Sequence, residues 1–151
     1  MTAWIEQQSG QNTSVATYLA EGKGRFEVEH IWADKYRRHS DEFNSAAEFS
    51  EFRNRFGGLL LLPKSFNASY NDLAYDKKLP HYNSQNMLAR SLDSQCYKHN
   101  PGFLKMIKDR GLPFKAHPAF MKKDLEERGE LYHRLAEQIW CPEALLAVDP
   151  K

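Results

Sequence analysis

Glu29 and His30 stand side by side in the chain, and Asn67 and Asn71 follow, four residues apart. Together they offer an imidazole, a carboxylate and two amide oxygens. An imidazole ordinarily titrates near neutrality, which makes it a natural general base. Carboxylate and amide oxygens are hard ligands that suit Mg2+ or Mn2+. Hydrolysis of a phosphodiester requires both kinds of group. A base must take a proton from water, and a divalent cation must stabilise charge on the phosphate and on the leaving oxygen. Each residue also has a plainer reading: a structural histidine for His30, a surface ion pair for Glu29, a helix cap for Asn67.

Such a site needs elements that bring residues 29–30 and 67–71 together. Arg25 to Ile31 alternates Phe26, Val28 and His30 with Glu27, Glu29 and Ile31, the period of a short strand ending at the Glu-His pair. Gly57-Gly58 breaks the chain, and Leu59 to Leu62 suit a second, buried strand that Pro63 stops. Ser65 can cap a helix beginning near Phe66 or Asn67. On that helix Asn67 and Asn71 share a face, so a metal could sit between it and the end of the first strand. Elsewhere the pattern predicts helices over Ser14–Glu21, Ala46–Phe56, Asn83–Leu92 after Pro80, and Gly102–Asp109 ended by Gly111. A long one opens at Pro118 and runs to Trp140. Residues 1–13, with a run of Gln, Ser, Gly and Asn, read as a flexible lead or linker stub.

Hydrophobic residues make up 41% of the 151 positions, a globular composition rather than a disordered one. The formal net charge of +1 does not by itself point to a nucleic-acid partner. Its distribution is uneven: Lys98, Lys105, Lys108, Arg110, Lys115, Lys122 and Lys123 face only Asp109 in the same stretch. That split can build a basic face or simply a solvated one. Two cysteines are too few for a disulfide framework or a Cys-rich zinc site, so a reduced, cytoplasmic location is expected. No apolar run reaches the roughly 20 residues of a membrane helix, and no signal peptide is visible. The remaining histidines, His39, His81, His99, His117 and His133, fit no tight metal spacing and read as structural or surface residues.

Three segments resemble one branch of the HNH nucleases: FEVEHIWA from Phe26, RNRFGGLLLLPKSFN ending at Asn67, and YDKKLPHY from Tyr75. The branch is the nuclease domain at the C-terminus of GmrSD-type (type IV) restriction endonucleases. It also ends the SspE-type proteins of phosphorothioation-linked phage defence. The resemblance implies an α+β fold, mainly helical, around a ββα-metal (HNH) core, with the nuclease domain over 14–151. It implies metal-dependent DNA endonuclease or nickase activity with Mg2+ or Mn2+. His30 would be the general base, and Glu29, Asn67 and Asn71 would hold the ion, Asn67 counting among the catalytic residues. Lys78 matches a lysine that follows the metal helix and meets phosphate, and Arg37, Arg38, Lys122 and Lys123 are further candidates for DNA contact, with Tyr36 beside them. DNA is the implied partner, together with an N-terminal nucleotide-hydrolysing sensor domain or subunit, and no membrane. One departure stands out: HNH motifs place a structural asparagine nine positions before the metal residue of the helix, and here that position is Gly58. In such folds the asparagine side chain pins the loop while its backbone carbonyl orients the imidazole. The alternative is therefore a DNA-binding module with a degenerate, inactive HNH fold.

Overall fold

The alternating segment forms strand β1 (Phe26–His30), and the leucine run forms β2 (Leu59–Pro63). They pair antiparallel, with Phe26 opposite Pro63 and His30 opposite Leu59. Side chains alternate across a strand, so each face collects every second residue. Leu60 and Leu62 enter the core, and Glu29, opposite Leu60, goes in with them. Val28 and His30, opposite Leu61 and Leu59, belong to the other face, where Val28 remains 56% exposed.

The structure, a computed structural model, describes residues 1–22 and 24–142. Positions 143–151 of the expected domain lie outside the described residues. Around the sheet are helices α1 (Thr2–Gln8), α2 (Val15–Leu19), α3 (Ala46–Arg53) and α4 (Lys64–Tyr70). These are followed by α5 (Tyr75–Tyr82), α6 (Met87–Arg90), α7 (Pro101–Arg110) and α8 (Lys122–Ile139). The architecture is therefore mixed helix and strand, mostly helical. Helix α4 follows β2 directly and packs on both strands. Trp32, Phe43, Phe49 and Phe120 form an aromatic cluster beside the end of β1.

Four local expectations need correction. Residues 1–13 contain α1, whose Ile5 is fully buried. Its Glu6 carboxylate accepts from the Met87 amide at 3.2 Å and the Tyr18 hydroxyl at 2.7 Å, so apparent polarity is consumed inside the fold. Ser65 does not cap α4, which begins at Lys64 straight after Pro63. Pro80 does not precede a helix but lies within α5. A proline removes one helical hydrogen bond; the helix nevertheless runs through Pro80, with Tyr82 packed in the core and Lys78 paired there with Glu29. Pro118 does not open α8. That helix starts at Lys122, where the Asp124 carboxylate accepts the Met121 amide at 2.9 Å.

The glycine pair has a strict steric reason. A Cβ on Gly57 would lie 2.1 Å from the Leu125 carbonyl oxygen and 2.7 Å from the Gly129 nitrogen, both backbone atoms of α8. Only glycine lets the turn approach the helix so closely. From α8 the buried Arg128 donates to the Gly57 carbonyl (3.3 Å) and to the Tyr132 hydroxyl (2.9 Å), and Tyr132 donates to the Leu59 carbonyl (2.7 Å). This chain from α8 pins the turn into β2 without an asparagine side chain at Gly58. Arg128→Ala should therefore destabilise the domain by about 3 kcal/mol, from the lost charged hydrogen bonds and the cavity together. Urea unfolding checks this, and a loss under about 1 kcal/mol would show that the turn holds without it.

Candidate active site

His30 closes β1 on the outer face of the sheet and is partly exposed. Its Nε2 lies 2.9 Å from the Asn54 side-chain oxygen. Asn54 is the C-terminal cap of α3, and its own amide nitrogen donates to the Ser50 carbonyl at 2.8 Å. Burial pulls the His30 pKa below its ordinary 6.5, opposed by the Asn54 contact; the nearby Arg53 lowers it further, and Glu29 acts weakly the other way. The imidazole is therefore held and predominantly neutral at pH 7, the state a base requires. The Gly58 carbonyl does not reach the ring: it accepts the Ile31 amide at 2.9 Å and fixes the chain just after the histidine.

Glu29 and His30 do not share a pocket, because adjacent residues of a strand face opposite ways. Glu29 is 2% exposed, and its carboxylate accepts from the Lys78 ammonium at 2.5 Å and the Tyr82 hydroxyl at 3.4 Å. Lys78 is correspondingly not a surface cation. It is 0% exposed and donates also to the His30 carbonyl at 2.8 Å. The alternation of β1 and the inward face of α5 bring the two charges together in the core, and neither reaches solvent. Burial lowers the Lys78 pKa, with Glu29 opposing. The expected phosphate contact is thus replaced by a buried ion pair that anchors the backbone of His30 from behind.

Asn67, on α4, donates its side-chain amide to the Val28 carbonyl at 3.2 Å, fastening the helix to β1 two residues before His30. Two strand residues span about 7 Å. The Asn67 side-chain oxygen is buried and accepts no hydrogen bond, one of two such atoms among the described residues, the other on Gln138. Asn71 is the exposed C-terminal cap of α4.

The candidate DNA contacts divide. Arg37 and Arg38 lie on an exposed 3-10 turn, Tyr36–Arg38, and Arg38 donates to the Asp72 carbonyl at 3.0 Å, just past the end of α4. Tyr36 is half-buried against Phe49, with its hydroxyl donating to the Phe43 carbonyl. Lys123 is exposed. Lys122 is not a free cation: it pairs with Glu48 at 3.0 Å and sits 4.2 Å from the Phe52 ring centre. Lys105 and Lys115 pair with Asp109 and Glu127. Three of the seven cations of the basic stretch are thus paired with carboxylates.

Sequence spacing missed one His/acid cluster. His117, Asp124 and Glu127 bring ligand atoms within 4.8 Å of one another. Its present bonds serve the fold. His117 Nδ1 meets Asp124 at 3.0 Å, the other Asp124 oxygen starts α8, and Glu127 holds Lys115. Asn54 and Arg128 were also missed, since only folding carries α3 and α8 to the sheet ends.

No helix among the described residues is long and apolar enough to cross a membrane. No curated protein and no solved structure matches the chain. The sequence model of one family, described as GmrSD restriction endonucleases, C-terminal domain, matches residues 3–134, and so spans both strands, the histidine at the end of β1 and most of α8. The chain belongs to this family, and is a restriction-endonuclease-like nuclease module whose substrate is DNA.

Proposed function

We propose that this domain is a metal-dependent DNA endonuclease of the HNH type in which neutral His30 accepts a proton from the attacking water. The observation that carries the proposal is the histidine itself: partly exposed at a strand end, held by Asn54 and kept neutral by burial. Divalent metal fits the site in one respect. The Asn67 oxygen is an unpartnered hard donor on a side chain fastened to β1 at Val28, two residues before His30, and Mg2+ commonly takes few protein ligands beside water and phosphate. Glu29 fits poorly, because its carboxylate is neutralised by Lys78. We therefore give Asn67 to the ion, leave Asn71 as an accessory at the helix end, and give Glu29 the task of holding Lys78. The chemistry that a bound Mg2+ or Mn2+ supplies is stabilisation of charge on the phosphate and the departing 3′ oxygen.

Arg37, Arg38 and Lys123 are the exposed cations assigned to the DNA backbone, giving binding that weakens with salt and reads little sequence. A nucleotide-hydrolysing sensor domain joined to this module, acting in restriction or phage defence, completes the proposal. The competing reading, a DNA-binding module without catalysis, is favoured by the withdrawal of Glu29 into an ion pair. Plasmid cleavage separates them. The purified domain should nick or cut supercoiled plasmid with Mg2+ or Mn2+ and stop with EDTA. DNA binding without any cleavage in either metal would support the inactive module.

A further inference from the structure

A side-chain amide that orients its own nitrogen toward a backbone carbonyl has only its oxygen left to offer a neighbour. Asn54 is in that position. Its Nδ2 donates to the Ser50 carbonyl at 2.8 Å, one turn back in α3, so Oδ1 is the atom facing His30 Nε2 at 2.9 Å. An amide oxygen only accepts. The hydrogen in the contact must therefore sit on His30 Nε2, and in the neutral ring the lone pair then sits on Nδ1.

We infer that Asn54 is the positioning residue of the catalytic histidine: it fixes the Nε2–H tautomer and leaves His30 Nδ1 as the nitrogen that takes the proton from water. This rests on the assignment of His30 as base made above. Asn54 thereby does through a side chain what Gly58 does not do, since the imidazole bonds Asn54 while the Gly58 carbonyl accepts the Ile31 amide. Arg53, Glu29 and Lys78 also act electrostatically on the ring. Arg53 donates to the Trp32 carbonyl, and Lys78 and Glu29 bond each other on the opposite face of the sheet. Among the described residues, Asn54 is the hydrogen-bond partner of the imidazole.

The tautomer can be read without any cleavage assay. Long-range proton–nitrogen NMR of the 15N-labelled domain, recorded well above the imidazole pKa, distinguishes protonated from unprotonated ring nitrogens. The His30 signals are those lost in His30→Gln. Wild-type protein should show a protonated Nε2 and a bare Nδ1. Asn54→Leu, folded by its amide spectrum, should relax toward a mixture of tautomers, and its kcat for plasmid nicking should fall about tenfold or more with KM little changed. Asn54→Asp keeps an acceptor facing Nε2 and should keep the proton on Nε2. A wild-type ring protonated on Nδ1, or a tautomer unmoved in Asn54→Leu, would overturn the inference. If the tautomer follows Asn54 but His30→Ala still cleaves at the wild-type rate, the base assignment fails and the contact is structural only.

Discussion

His30→Ala should lower plasmid cleavage by about 10²-fold or more, the usual range for loss of a general base, with little loss of stability. The ring is partly exposed at the end of β1, and the backbone there is held by Gly58 and Lys78 rather than by the imidazole. The same assignment fixes the pH dependence. A base works as its neutral form, and burial has lowered the His30 pKa below 6.5. Cleavage should therefore be on its plateau at neutral pH and should fall only as pH drops through that lowered value. A rate that is still climbing steeply above pH 7 would point to a different base. Normal cleavage by folded His30→Ala protein would remove the catalytic reading altogether.

Lys78→Met should destabilise the domain by about 3–5 kcal/mol, the cost of leaving one member of a buried ion pair without its partner. The pair has almost no contact with solvent, with Lys78 0% and Glu29 2% exposed. Water cannot take over the stranded carboxylate, as it would at a surface pair worth about 0–1 kcal/mol. Lys78→Met also frees the His30 carbonyl, so whatever folds should cleave poorly. Removing both charges with Glu29→Met and Lys78→Met together should recover most of the stability, because an apolar pair of similar volume often replaces a buried ion pair at little cost. Denaturant unfolding of the singles and the double gives the coupling. A Lys78→Met loss below about 1 kcal/mol, accompanied by weaker DNA binding, would instead place Lys78 at the phosphate.

What the sequence determined by itself is local. Alternation over Phe26–His30 and the leucines after Gly57-Gly58 specified two strands, because side-chain period is a property of the chain. Proline near its start and Gly111 at its end, the latter at φ 62°, specified α7. The residue pattern around Glu29-His30 and Asn67 also carried the family, which the match over residues 3–134 bears out. What tertiary structure alone decided is which neighbours those residues meet. Glu29 and His30 are adjacent in the chain yet belong to opposite faces once β1 pairs with β2, so a shared site read from adjacency separates into a buried ion pair and an outward imidazole. Lys78 looks like a solvated lysine beside Lys77 until α5 turns it into the core, where Glu29 makes its burial tolerable. Asn54 lies 24 residues from His30 in the chain, and nothing in local spacing marks the pair. Arg128 and Tyr132 reach the turn before β2 only because Gly57 lets α8 come within contact of its backbone. Each of these is a long-range pairing set by chain packing, and packing is a property of the whole fold rather than of any segment of it.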